Sequence, residues 1–446
     1  MAAPIITNGY KIIPTAWDER ILKRDFHVVL GKMLQSEQHD STDTEEPYLR
    51  SANVQWEGVD ISDIKTMWFS QQEKQDLILR RSDLVVNEGG DVGRCALWNG
   101  EIEKCYFQNA VNRVRARHHA STKFVYYWLC NIKFAGFIDA IVSRTTIAHL
   151  TAEKLEALPW PNVPPLEQQR IAEYLDTSCA AIDVAVLAKR RQLKILDSLR
   201  KSIIQRAVTR GLDKCPRLHK TYNVWIEELP EKWQLAALKR LCEIHTGLTL
   251  GKTYEGALIE RPYLRVANVQ DGHVDLSDIT TIEVPASVAK GVELRSGDVL
   301  MTEGGDLDKL GRGTLWEGQI SGCLHQNHIF AIRCFRHKLL PEFLTYLTAS
   351  QYGRDYFEAT GKRTTNLAST NSTKVGLFPI PLPSLEEQET ICAFLEDKLA
   401  EVKGITNGIE AQIETLTAYR KSLIHECVTG QRRISEADVT RVEAYG

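Results

Sequence analysis

Apolar and polar positions along this chain follow two periods. Short apolar runs such as Leu84-Val85-Val86 and Val299-Leu300-Met301 end at Gly-Gly pairs, as buried strands closing into tight turns do. Thr122 to Asn131 and Pro341 to Ala349 space their apolar side chains three and four apart and predict helices. Two longer stretches carry a heptad rhythm. In the first it falls on Ile182, Ala185, Lys189, Gln192, Leu196, Leu199 and Ile203, and in the second on Val402, Ile405, Ile409, Gln412, Leu416, Tyr419 and Leu423. No proline falls between Pro165 and Pro216, or after Pro383, so both stretches predict long helices. At ~1.5 Å per residue, 40 residues of helix reach ~60 Å, which predicts a rod of two antiparallel helices rather than a core element. Gln192 and Gln412 share a register, and a polar pair in a seam fixes alignment at some cost in stability. Residues 176–210 hold eight Lys/Arg against three Asp/Glu and residues 396–430 hold four against six, so charge favours pairing one helix with the other. Gly404 and Gly408 either weaken the second helix by ~1 kcal/mol each or admit a close neighbour.

The same pattern occurs twice. Tyr48-Leu49-Arg50-Ser51-Ala52-Asn53-Val54-Gln55 returns 215 residues on as Tyr263-Leu264-Arg265-Val266-Ala267-Asn268-Val269-Gln270, and Glu88-Gly89-Gly90-Asp91 returns as Glu303-Gly304-Gly305-Asp306. After a three-residue insertion, Gly93-Arg94, Cys105, Gln108-Asn109 and Arg115 match Gly311-Arg312, Cys323, Gln326-Asn327 and Arg333, and Arg144-Thr145-Thr146 matches Arg363-Thr364-Thr365. Trp17 and Trp233 open the two copies alike. Proline-rich stretches at 158–165 and 378–383 read as domain ends, and each is followed by Glu-Gln (Glu167-Gln168, Glu387-Gln388) at a helix start. The fold class predicted is mixed α/β: two similar globular domains, related by a pseudo-two-fold repeat and separated by two long helices paired as an antiparallel coiled coil. The expected division is 1–160 and 213–378 for the globular domains, 161–212 for a central helix, and 379–446 for a C-terminal helix and tail.

Composition removes several classes. With 446 residues, 43% hydrophobic, 25% charged and a net charge of −3, the chain reads as a soluble multidomain protein whose overall charge names no partner. Its ten cysteines form no C-x-x-C pair, which argues against a zinc ribbon or disulfide framework and for a reducing cytoplasm. No apolar run nears the ~20 residues of a membrane span. Gly247-Leu248-Thr249-Leu250-Gly251-Lys252-Thr253 is one residue short of a phosphate loop, and its counterpart at Gly31-Lys32 lacks the upstream glycine. Asn162-Val163-Pro164-Pro165 lacks the spacing of an amino-methyltransferase motif. The Glu-Gly-Gly-Asp pairs read as turns rather than metal ligands, and no nucleophile–base set repeats.

Polar residues repeated in both halves are the binding candidates. Arg50, Asn53, Arg94, Gln108, Asn109, Arg115, Arg144 and Thr145, with Arg265, Asn268, Arg312, Gln326, Asn327, Arg333, Arg363 and Thr364, are types that meet phosphates and base edges, although each serves equally well to satisfy backbone groups. Basic clusters at 113–119 and 333–338 favour nucleic acid. Two similar units held apart by a rod suit a long ligand such as duplex DNA. Segments that differ between the copies, 67–80 against 282–295 and 117–141 against 337–360, imply different half-sites.

Taken together, the doubled proline stretch running into Glu167-Gln168 and Glu387-Gln388, the doubled helix end Arg200-Lys201-Ser202-Ile203 and Arg420-Lys421-Ser422-Leu423, and the Gly-Arg and Gln-Asn repeats carry a resemblance. Over nearly its whole length the chain resembles the specificity subunit of type I restriction–modification systems. The resemblance implies two target-recognition domains that read a bipartite, asymmetric DNA site, and helices that set the gap and hold two modification subunits; the heptad frame puts Ile182, Gln192, Leu196, Leu199, Ile203, Val402, Ile409, Gln412, Leu416, Tyr419 and Leu423 in helix pairing. It implies no catalysis by the chain itself and no directly bound cofactor or metal. S-adenosylmethionine would lie in the modification subunits, and ATP with Mg in restriction subunits where these are present. The competing class is a protein-interaction scaffold without DNA specificity.

Overall fold

The computed structural model describes residues 6–7, 10–11, 17–142, 149–305, 310–363 and 368–445. The chain forms two compact units, residues 1–190 with 410–446, and residues 191–409.

Each unit is built on one four-stranded antiparallel sheet. In the first unit its order is Cys95–Leu97, Leu84–Asn87, Val111–Ala116, Phe26–Leu30; in the second it is Gly313–Trp316, Asp298–Thr302, Ile329–Cys334, Cys242–Thr246. The central strands alternate because both faces are covered. Leu84 and Val86 join a core with Phe26, Phe124, Trp128 and Trp160, while Val85 points into a second core with Leu49, Phe69, Trp98 and Phe107. Val299 and Met301 against Leu300 repeat the division in the second unit. A three-stranded sheet closes the second core in each unit: Thr44–Leu49 lies between Lys65–Phe69 and the parallel Tyr106–Phe107, as Ile259–Leu264 lies between Thr280–Val284 and Leu324–His325.

The predicted helices form at Thr122–Phe134 and Pro341–Ala349, the first capped by the Ser121 hydroxyl and the second opened by Pro341. They supply Phe124, Trp128 and Leu129, and Phe343, Leu344 and Leu347, to the cores. The segments 117–141 and 337–360, which differ between the copies, thus each give a helix to the cores.

The proline-rich stretches form short strands. Pro159–Pro161 pairs antiparallel with Glu19–Ile21, and Pro379–Leu382 with Gln234–Ala237. Two-stranded pairing leaves one strand edge open, where proline's missing N–H costs nothing, and fully buried Trp160 meets Phe26 and Phe124 edge-on.

The long helices are Pro165–Arg210 and Leu385–Val428. They do not stand as segments of their own; each gives one half to each unit. In the first unit Ile182 shares a core with Leu423 and Ile424, and the Arg420 guanidinium lies 3.0 Å from the Asp183 carboxylate. In the second, Ile204 shares a core with Ile391 and Leu395. The rising numbers of one helix meet the falling numbers of the other, so the halves pack antiparallel in each unit.

The repeated glutamines bind these helices to their domains. Gln168 accepts from the Ser121 N–H at 2.8 Å and donates to the Val163 carbonyl; Gln388 accepts from the Leu340 N–H at 2.9 Å and donates to the Lys338 and Pro383 carbonyls. Both are buried.

The heptad frame needs correction. Ile182, Lys189, Leu196, Ile203, Val402, Ile409, Leu416 and Leu423 are buried or half-buried as expected, and Ala185 is half-buried. Gln192, Leu199, Ile405, Gln412 and Tyr419 are exposed. Between the shared positions the inward column falls one residue later, on Val186, Leu193 and Arg200 and on Thr406, Ile413 and Arg420. The seam steps by four then three, where the expected frame stepped by three then four. Apolar character misleads here because Leu199, Ile405 and Tyr419 face solvent while Arg200, Thr406 and Arg420 turn inward. The glutamine pair is therefore not an alignment device.

Candidate nucleic-acid interface

One end of each unit gathers several of the repeated motifs. In the first unit Gly31-Lys32 runs beside Phe107-Gln108, with the Lys32 N–H on the Phe107 carbonyl at 3.1 Å and the Asn109 N–H on the Lys32 carbonyl at 2.8 Å. Gly247-Leu248 lies likewise beside His325-Gln326. A Cβ on Gly31 would strike the Phe107 and Gln108 carbonyls, and one on Gly247 the His325 and Gln326 carbonyls, so glycine is required by backbone approach. That is the purpose of the segment that resembled a phosphate loop.

The Glu-Gly-Gly turn closes over the Gln-Asn turn. The Glu88 N–H donates to the Ala110 carbonyl and the Leu150 N–H to that of Glu88; the Glu303 N–H donates to the His328 carbonyl and the Thr370 N–H to that of Glu303. In the second unit Gly304–Gly305 is itself a strand, paired with Ala368–Ser369, which pairs with Lys362–Arg363. In the second unit the backbone of Arg363 thus lies in the same small sheet as the Glu-Gly-Gly turn. Arg144, Thr145 and Thr364 lie outside the described residues, as does the Arg363 side chain.

A carboxylate and an imidazole meet at this lip in both units. Glu303 lies 2.6 Å from His328 Nδ1, and Glu88 lies 3.9 Å from His149 Nδ1. Burial holds the Glu88 carboxyl above the usual carboxylate range. The histidines come from different places in the two copies, so comparing the repeats gives no signal for them.

The other candidates separate into two groups. Arg50 donates to the Asp63 carboxylate at 2.8 Å and to its carbonyl at 2.7 Å, while Asn53, buried, accepts from the Arg50 N–H and donates to the Asp60 and Asp63 carbonyls. Arg265 and Asn268 repeat this on Asp278 and Asp275. These four residues hold a loop. Arg115 grips the Asp83 carboxylate through Nε at 2.7 Å and Nη2 at 2.6 Å, and Arg333 grips Asp298 at 2.9 and 2.7 Å; both carboxylates are buried. Such bidentate pairs leave little of the cation for phosphate. Arg113 is buried on the Asp76 and Ile78 carbonyls, and burial beside Arg115 brings its pKa down to about 10. The basic clusters reduce to Arg117, His118 and His119, and to Arg336, His337 and Lys338, which are exposed.

Arg94 and Arg312 are engaged differently. Arg94 donates to the Ser51 carbonyl at 3.2 Å, which also accepts from buried Asn87, and Arg312 lies 3.9 Å from Asp271. Gln108, Asn109, Gln326 and Asn327 are half-buried. The loops leaving Gly31 and Gly247 differ between the copies and carry exposed apolar side chains: Met33 is 74% exposed, Leu34 60% and Leu250 41%. Among the described residues no cluster of His, Cys, Asp or Glu has the makings of a metal site, and no helix is long and apolar enough to cross a membrane.

Each unit is thus one framework presenting unlike loops at a common end. The family model for the type I restriction modification DNA specificity domain matches residues 14–194 and again 230–415. The chain belongs to this family. Its two specificity domains account for the internal repeat. Among similar proteins are the EcoBI specificity subunit of Escherichia coli, 23% identical over 95% of this chain and 88% of that one, and the EcoKI specificity subunit of E. coli strain K12, 22% identical over 86% and 82%. The MjaX specificity subunit of Methanocaldococcus jannaschii is 29% identical over about half of each chain, 46% and 47%. The fold is also that of a chain solved in a study of type I R-M complex assembly, with TM-score 0.69 and 16% identity over 93% of this chain and 98% of that one. The HsdS subunit from Thermoanaerobacter tengcongensis shares it at TM-score 0.52 and 17% identity, over 95% and 99%.

Proposed function

We propose that this chain is the DNA-recognition and assembly subunit of a type I restriction–modification complex. Each unit reads one half of a bipartite, asymmetric DNA site, the paired helices fix the gap, and two modification subunits dock on the chain, with restriction subunits joining where they are encoded. S-adenosylmethionine is held by the modification subunits, ATP and Mg by the restriction subunits, and the chain itself contributes position and no bond-making group.

One observation carries this reading: a duplicated framework whose repeated polar residues are largely spent internally, with unshared loops exposed at the same end. Internal arginines cannot discriminate bases, whereas loops that differ between copies can read different half-sites. Exposed Met33, Leu34 and Leu250 suit apolar contact with a thymine methyl in the major groove. Arg94, Arg312 and the exposed cations position the backbone.

The reading is tested by methyl transfer from labelled S-adenosylmethionine to duplex DNA with the neighbouring modification subunit. Label should enter DNA only when this chain is present, and binding should fall steeply with salt as counterions are released. Transfer to the same sites without the chain overturns it.

A further inference from the structure

The exposed cations of the two basic clusters lie at the end of the sheet away from the lip. Phe26–Leu30 pairs antiparallel with Val111–Ala116, from Leu30 opposite Asn112 to Phe26 opposite Ala116. At ~3.4 Å per residue, about 14 Å of strand separates the Gly31 and Gln108 turns from those at Asp25 and Arg117. The Arg117 N–H donates to the Asp25 carbonyl at 2.7 Å and closes that end. Cys242–Thr246 and Ile329–Cys334 repeat the arrangement, with the Phe335 N–H on the Leu241 carbonyl at 2.9 Å.

Two turns meet there in each unit, and both are basic. One is a short 3-10 helix, Leu22–Arg24 or Leu238–Arg240, whose leucine is fully buried while its lysine and arginine are exposed. The Leu22 and Leu238 N–H groups donate to the Leu158 and Phe378 carbonyls at 3.0 and 2.9 Å, which ties each turn to the segment entering the proline-rich strand. The other turn exposes Arg117, His118 and His119 in the first unit and Arg336, His337 and Lys338 in the second. Lys-Arg and Arg-His thus stand at the same two places in both units. The acids within these turns are engaged, Asp25 with Arg20 at 3.3 Å and Glu243 with His245 at 3.2 Å, and none of the exposed basic side chains has an ion-pair partner among the described residues. Their field reaches the next strand: burial and the Arg117 and Arg113 cations hold the His27 imidazole below its usual range, with Glu156 opposing only in part.

We propose that these turns form a second DNA contact in each unit, one that holds the phosphodiester backbone of the duplex outside the bases read at the lip. The inference rests on the recognition role stated above and adds a site to it. At ~3.4 Å per base pair, 14 Å of sheet corresponds to about four base pairs, so a duplex lying along the strands meets the lip with one stretch and the basic turns with the next. Phosphate is the feature that unlike half-sites share, which accounts for cations that repeat beside loops that differ. No large apolar side chain is exposed in these turns, whereas a protein partner would be met by an apolar centre.

The test is hydroxyl-radical footprinting of the full chain with its modification subunit, on a duplex carrying the methylated motif in a long random-sequence surround. Wild type should protect phosphates about four base pairs beyond the recognised bases of each half-site. The combined variant Lys23→Ala, Arg24→Ala and Arg117→Ala should lose that outlying protection at one half-site, and Lys239→Ala, Arg240→Ala and Arg336→Ala at the other. Each variant should bind roughly tenfold more weakly or worse, with a salt slope reduced by about three, while the methylated motif keeps its sequence. All six positions are exposed, so both variants should melt with wild type, and either one suffices should the other fail to fold. Unchanged outlying protection with affinity within about twofold of wild type overturns the proposal and leaves the recognition role intact. A variant that instead loses a modification subunit in native mass spectrometry, its outlying protection unchanged, gives the turns to a protein partner and also overturns it. A wild-type complex with no footprint on its motif overturns the recognition role and this proposal with it.

Discussion

Replacing Arg333 with alanine separates a structural role from a DNA-binding one. Arg333 holds both oxygens of Asp298, which is 1% exposed and also accepts the Arg295 N–H at 2.8 Å. Removing the guanidinium leaves a buried carboxylate with one backbone donor, and breaking such a pair costs roughly 3–5 kcal/mol. The arginine side chain is 23% exposed, which lets water solvate part of the gap and places Arg333→Ala toward the lower end, about 3 kcal/mol. Every 1.4 kcal/mol is a factor of ten, so the unfolded fraction of the second unit should rise by roughly two orders of magnitude. Arg333→Met with Asp298→Asn should cost less than Arg333→Ala alone, because no charge is left buried. Urea denaturation followed by tryptophan fluorescence measures both. DNA binding by the folded fraction should keep its salt slope. Stability within about 0.5 kcal/mol of wild type, together with a salt slope reduced by about one phosphate contact, would refute the reasoning and return Arg333 to the DNA.

Gln388→Ala strands one buried N–H and two carbonyls and should destabilise by about 2–4 kcal/mol in the same assay, with Gln168→Ala close behind, whereas exposed Gln192→Ala and Gln412→Ala should stay within about 0.5 kcal/mol. His325 is buried with Nδ1 on the Val292 carbonyl, and burial lowers its pKa to about 4. Above pH ~6.5 it is neutral folded or unfolded; as pH falls from there toward 4 the unfolded state takes the proton first, so the second unit should lose up to about 3 kcal/mol, and His325→Phe, the residue the first unit has as Phe107, should remove that acid sensitivity in pH-dependent melting. Deleting 186–192 and 406–412 together shortens both helices by ~10 Å, and the half-site gap in a methylation map should shrink by about three base pairs.

How far the sequence disclosed this structure depends on the kind of signal. The 215-residue repeat made the double fold legible, because Tyr48–Gln55 and Tyr263–Gln270 meet the same surroundings in both units. The antiparallel helices were legible from heptads and from the absence of proline. The seam was half legible, since two frames offset by one residue share every second position and only burial distinguishes Leu199 from Arg200. The site was least legible. Repetition marks what both domains need, and that is mostly framework: Asn53 and Asn268 hold a loop, while Arg115 and Arg333 neutralise buried acids. Residues that differ between the copies leave no trace in a comparison of the repeats, so the exposed Met33, Leu34 and Leu250, which we propose to meet DNA, were invisible to it. Gln168 and Gln388 stood out as a motif, but their service as clamps between helix and domain depends on which carbonyls the fold brings near.

The central claim is that this chain supplies the DNA sequence to a methylating complex. A genome-wide adenine methylation map of cells expressing the chain with its neighbouring modification subunit, set against cells lacking the chain, tests it most directly. The account predicts a split, non-palindromic motif that appears only with the chain present, its two halves separated by a fixed gap. An identical map with and without the chain would contradict it and leave the scaffold reading in its place.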